Sequence, residues 1–316
     1  MLDRSPLHLC DLGEEREAFA IERWMFGHTE QTMTALGLPV GWWRGCFLRR
    51  RDIFGDDADG DVDLIAGPLV YENMTSAEWT ARVDAERAKV GDDFAVAYAH
   101  AKAGDEGRVE WPPTVEEVIA CEVKASYFDG EQDEWKRTHA GRQARTLGQL
   151  DYLRDKGVNR ISLLHLASTR PPRHTAETWQ AAIDEAERAW PRFPLLVDPA
   201  HLKGYGYHRA FLSAIPEGTE GSAGVHYGIS TIASPALVNA VEPRAWHETL
   251  RARLAKMPRP KYVRTSVSTC WNCGSWQHSS SFARYAPLCS ECGARGDQAP
   301  IASSASGLRA PSVGGA

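Results

Sequence analysis

Two short apolar runs with acids set into them constrain this chain more than any other feature. They are Gly60-Asp61-Val62-Asp63-Leu64-Ile65-Ala66 and Val118-Ile119-Ala120-Cys121-Glu122-Val123-Lys124. Both read as strands, and in a strand residues i and i+2 share a face, so Glu122 and Lys124 emerge side by side. If the two strands are neighbours, Asp63 joins them at one edge. Two carboxylates and an ammonium on an otherwise apolar sheet carry a desolvation penalty unless a metal ion and a substrate offset it. The pattern points to a divalent-metal phosphodiesterase site.

The order of the surrounding elements agrees. A helix over about Leu12 to Leu36 precedes a strand over about Gly45 to Ile53, then the Asp63 strand and the Glu122 strand. A helix over about Gln132 to Lys156 and a strand over Asn159 to Leu166 follow. This gives an α-β-β-β-α-β succession and predicts an α/β fold, a mixed central sheet flanked by helices. An insert at about 71–114 separates the two acidic strands. Part of it reads as a helix, N-capped by Thr75 or Ser76 and running through Glu78-Trp79 and Asp84 to Lys89; it is expected beside the site.

Asp63 followed by Glu122-Val123-Lys124 resembles the signature of the PD-(D/E)XK, or restriction-endonuclease-like, nuclease superfamily. There an Asp on one strand is followed by (Asp/Glu)-X-Lys on the next. The family usually joins these on a tight hairpin, and here about fifty residues intervene. The resemblance implies a nuclease-like core over 1–170 in which Asp63 and Glu122 hold Mg²⁺ or Mn²⁺, hard cations that take oxygen ligands. Lys124 would orient the attacking water or offset charge on the phosphorus. Family members often add a Glu from the first helix, where Glu17 and Glu22 are the candidates, and some use a supporting glutamine, for which Gln143 and Gln149 stand in the helix after Lys124. Neither glutamine has a tyrosine four residues on, so the Gln-x-x-x-Tyr form is not matched. The implied function is metal-dependent cleavage of nucleic acid, DNA before RNA, in restriction, anti-phage defence, repair or mobile-element processing. The alternatives are a non-catalytic module that keeps the nuclease fold as a scaffold for nucleic acid or a partner, and an unrelated α/β enzyme.

Downstream, Cys270-Trp271-Asn272-Cys273 and Cys289-Ser290-Glu291-Cys292 form two Cys-x₂-Cys pairs. Each pair turns two sulfurs toward one point, and four thiolates close a tetrahedral site. Cys270, Cys273, Cys289 and Cys292 therefore predict a structural Zn²⁺ in a zinc ribbon over 263–296, with His278 a bystander. The ribbon is a candidate contact for a protein partner, and a homo-oligomer is compatible with the chain.

At 316 residues the chain accommodates one large domain and a small one. The segment 171–262 reads as a mixed α/β extension packed on the core. It has a helix over Ala176 to Trp190, strands over Tyr205 to Leu212 and Gly224 to Ile229, and a helix over Trp246 to Met257. His208 and His226 could face one another across that strand pair. The tail 297–316, rich in Ala, Ser, Gly and Pro, is expected to be disordered. No apolar run suits a membrane span, the N-terminus lacks a signal pattern, and Cys10, Cys46 and Cys121 are scattered, so a cytoplasmic protein is expected. The net charge of −6 excludes an indiscriminate nucleic-acid coat but leaves room for local basic patches. Such patches stand at Arg49-Arg50-Arg51, expected in a strand, in the first half of the 132–156 helix (Lys136, Arg137, Arg142, Arg145), and along Arg244 to Arg264.

Overall fold

The computed structural model of the chain describes residues 33, 36–38, 42–55, 60–69, 71, 74–128, 132–169, 195–214, 225–259, 266–270, 273–278 and 291–292. Their centre is one eight-stranded mixed sheet. Along the chain run β1 (Trp43–Arg49), α1 (Arg50–Phe54), β2 (Asp61–Gly67), α2 (Ser76–Val90), α3 (Asp92–Asp105), β3 (Ile119–Phe128) and α4 (Gln132–Asp155). Then come β4 (Arg160–Thr169), β5 (Gly206–Ala214), β6 (Val225–Ala233), α5 (Ala245–Ala255), β7 (Ser266–Thr269) and β8 (Trp276–His278). The spatial order is β6-β5-β4-β3-β2-β1-β7-β8. β3, β4 and β5 are mutually parallel, while β2 is antiparallel to both its neighbours β1 and β3.

β3 and β4 sit at the middle of the sheet, which is why both are apolar on two faces. On one face Ala120, Ile161, Leu163 and Tyr207 share a core with Leu150 and Leu153 of α4 and Trp246, Leu250 and Leu254 of α5. On the other, Leu64, Cys121, Val123 and Leu164 pack with Met33 and Leu36. The i, i+3 spacing of Leu147, Leu150 and Leu153 aims α4 at the sheet. Asn159, fully buried, locks the start of β4: its Oδ1 accepts from Val118 N at 3.2 Å and its Nδ2 donates to Ala240 O at 2.8 Å.

Several expectations need correction. The strand foreseen over Gly45 to Ile53 ends at Arg49, and Arg50 and Arg51 begin α1 instead. An Arg49–Asp52 ion pair across one turn (2.8 Å) and a left-handed Gly55 (φ 69°) favour and then end that turn. The helix expected in the insert is α2, and a second helix, α3, follows it. Thr75 is the N-cap of α2, in a capping box with Glu78, and Gly91 (φ 81°) separates α2 from α3. Val83, Ala95, Ala99 and Trp79 pack the two helices on one another. Because β2 and β3 are antiparallel, the insert joins Gly67 to Ile119 at the strand ends away from Lys124, and not beside the acidic residues. His208 pairs with Thr231 and His226 with Ser213, so the two histidines do not oppose each other.

The cysteine segment enters the same sheet: β7 runs parallel to β1, with β8 antiparallel beyond it. The expected helices over 12–36 and 176–190 and the tail 297–316 lie outside the described residues, Met33 and Leu36 excepted. Among the described residues no helix is long and apolar enough to cross a membrane.

Candidate active site

The strands carrying the acids stop pairing where the acids begin. The β2–β3 ladder runs from Ala66–Ile119 to Leu64–Cys121. At the next position Asp63 replaces the backbone partner with its side chain, Oδ2 accepting the Val123 N–H at 2.6 Å. On β1, Phe47 lies between the Cys46–Leu64 and Leu48–Val62 pairs, opposite Asp63, with φ 52°. A phenylalanine in that region marks local strain beside the site. The three predicted residues do come together. Lys124 Nζ lies 3.2 Å from Glu122 Oε2 and 3.7 Å from Asp63 Oδ2, and also donates to Val123 O at 3.0 Å.

Two further residues complete the cluster. Arg50 Nη2 donates to Glu122 Oε1 at 3.0 Å and Arg50 Nε to Asp61 O at 2.9 Å. Its guanidinium lies 4.8 Å above the Tyr152 ring of α4. Glu122, 1% exposed, therefore has a cation on each oxygen. Asp61 is the other addition. Burial and the nearby Glu122 charge push its carboxyl up to about 6, with Lys124 and Arg50 opposing. The donors of the cluster are all hard oxygens. That donor set fits Mg²⁺ or Mn²⁺ and would not suit a soft ion.

Asp61 was legible as the residue two before Asp63, and so was Arg50 as part of a basic run, but their approach to Glu122 was not. The remaining candidates lie elsewhere. Glu17 and Glu22 are outside the described residues. Gln143 pairs with His201 at 3.4 Å, in the turn ahead of β5. Gln149 Oε1 is buried, with no hydrogen-bond partner among the described residues, one turn before Tyr152. Arg142 and Arg145 are exposed on α4; the side chains of Lys136 and Arg137 are outside the described residues. Much of the basic stretch around α5 serves internal contacts: Arg244 pairs with Glu242, Arg251 with Glu116 and Arg253 with Asp52, while Arg259 donates to Val109 O. Cys46 and Cys121 are buried, and desolvation pushes the Cys46 thiol up to about 12, so neither is a reactive thiol.

The second cluster is sulfur. The ligand atoms of Cys270, Cys273 and Cys292 lie within 4.8 Å of one another; Cys289 lies outside the described residues. The first knuckle is built by Gly274 N–H donating to Cys270 O (2.8 Å) and Cys270 N–H to Ser275 O (2.7 Å), with Gly274 at φ 74°. Three converging thiols suit a metal such as zinc. His278 donates from Nε2 to Pro258 O at 2.8 Å, facing Trp111.

The two clusters meet at α1. Arg49 Nη2 donates to Gly274 O of the knuckle at 3.3 Å, while its neighbour Arg50 holds Glu122. Asp52, 5% exposed, accepts from Arg49 (2.8 Å), from Trp276 Nε1 (3.2 Å) and from Arg253 (3.4 Å). Comparison with protein-family models, with curated proteins and with solved structures returned no match to this chain.

Proposed function

We propose that the protein is a Mg²⁺- or Mn²⁺-dependent nuclease of the restriction-endonuclease-like kind, with DNA the substrate class to test first. The observation that carries this reading is the meeting of Asp63 and Glu122, from two splayed strands, at the ammonium of Lys124. Asp63 and Glu122 would hold the cation, with Asp61 adding negative charge beside them. When bound, the cation supplies Lewis-acid polarisation of the phosphate and a lowered pKa for water. The chain's own residues do the rest. Val123 N–H fixes the Asp63 carboxylate, and Arg50 and Lys124 fix the two oxygens of Glu122. Lys124, 27% exposed, is the group able to reach solvent, where it orients the attacking water and offsets charge gathering on the phosphorus. The sulfur cluster is structural in this reading, tying β7 and β8 to the sheet edge.

The test is cleavage of plasmid and of linear duplex by the full chain with Mg²⁺ or Mn²⁺, beside Asp63→Ala, Glu122→Ala and Lys124→Ala. Cutting that disappears in all three variants while circular dichroism is unchanged supports the reading. Salt-sensitive DNA binding with no cutting by the parent protein would identify a scaffold module instead.

A further inference from the structure

Arg50 is held more firmly than its place in a basic run suggests. Its backbone N–H donates to Gly60 O at 3.0 Å, its Nε to Asp61 O at 2.9 Å and its Nη2 to Glu122 Oε1 at 3.0 Å. The Tyr152 ring supports the guanidinium plane at 4.8 Å. Three side-chain contacts, to β2, β3 and α4, thus fix a side chain that is 13% exposed. Lys124 approaches the same carboxylate from its other oxygen on a flexible stem and is twice as exposed. A divalent cation taken up by Glu122 would compete electrostatically with these two charges for its oxygens. Oε1 is the oxygen Arg50 covers. Even without that bond, Asp61 O and Tyr152 would keep the guanidinium at the site, and a planar fork released from a carboxylate is matched in shape to a phosphate.

We propose that Arg50 is a substrate-contacting residue: it grips Glu122 and, when a divalent cation competes for that carboxylate, presents its guanidinium to a non-bridging phosphate oxygen of the substrate. This rests on the nuclease reading and adds a hand-over to it. Arg50 competes with the metal and assists the chemistry, so its removal moves metal affinity and turnover in opposite directions. A residue that only supports the fold would weaken both.

The experiment compares the full chain with Arg50→Gln and Arg50→Lys. Mn²⁺ affinity is read from the electron paramagnetic resonance of free Mn²⁺, turnover from a duplex cleavage assay, and folding from thermal melts. Arg50→Gln is expected to bind Mn²⁺ about tenfold tighter, because a competing cation has left the carboxylate. Its kcat falls about 100-fold, the usual scale for losing one aimed donor to a developing anion. Arg50→Lys keeps the charge without the fork, and lies between on both measures. If Arg50→Gln and Arg50→Lys bind Mn²⁺ no tighter than the parent protein, the hand-over is overturned while the nuclease reading stands on parent activity. A parent protein that binds Mn²⁺ without cutting overturns the hand-over, because Arg50 then has no phosphate chemistry to assist. One that neither binds nor cuts overturns both readings together.

Discussion

Asp63 accepts the backbone N–H of Val123 at 2.6 Å, one position beyond the last backbone pairing of β2 with β3. A side chain here substitutes for a strand, and the carboxylate is fixed by the element that carries Glu122 and Lys124. Removing it should therefore affect folding as well as chemistry. Asp63→Ala leaves a half-buried donor without its partner and should lower unfolding free energy by about 1–3 kcal/mol in urea melts. Asp63→Asn keeps an acceptor and should lose less than half of that. Cleavage should vanish in both.

Asp52 is the joint between α1, α5 and the cysteine segment. Its carboxylate answers Arg49, Arg253 and Trp276 from a nearly buried position. Asp52→Ala should destabilise the chain by about 1–2 kcal/mol, since the Trp276 N–H loses its acceptor while Arg49 and Arg253 keep access to water. A loss under about 0.5 kcal/mol would show that the Trp276 N–H also finds solvent without it.

His100 gives a pH dependence whose sign follows from its burial. It is 8% exposed, bonded through Nδ1 to the Tyr71 hydroxyl and set 4.4 Å from the Trp79 ring, and desolvation lowers its pKa from 6.5 to about 4. The unfolded chain takes up the proton first as pH falls. The stabilisation from a neutral His100 is whole above about pH 7 and is lost progressively from 6.5 down to 4. The loss reaches on the order of 3 kcal/mol below that range. Urea melts at pH 7, 6, 5 and 4 should show this slope, and His100→Gln should flatten it.

Cys270→Ser removes one sulfur of the converging set. The purified parent protein should carry about one equivalent of zinc by elemental analysis, and the variant much less. The variant should also show faster proteolysis in the β7–β8 region, since so short a hairpin lacks a core of its own. Full zinc retention in Cys270→Ser would remove this cysteine from the ligand set.

What could be read from the chain alone was local. The acidic strands were legible because their apolar runs and i, i+2 spacing need no knowledge of partners. The cysteine pairs were legible because a knuckle is a four-residue object. Thr75 was legible as one of two caps because Glu78 follows three residues on. The misses involve either distance or a weak local signal. Arg50 and Glu122 are 72 positions apart, and only the meeting of α1 with β3 makes them a pair. The strand expected to run on to Ile53 stops early because Asp52 answers Arg49. α3 escaped notice because its alanine-rich run lacks a strong amphipathic period, and it packs on α2 through small residues. The pairing of β7 with β1 joins the chain's described ends, which no window of sequence contains.

Arg49 and Arg50 are consecutive, and they brace different centres: one steadies the Gly274 turn, the other secures Glu122. A chelator that strips the thiolates thus disturbs the footing of the oxygen donors through a single peptide link. Under the proposed nuclease reading, cutting lost after such treatment would not identify which ion the chemistry requires. Magnesium or manganese added back to zinc-depleted protein, and zinc added back alone, would be separate questions with separate answers.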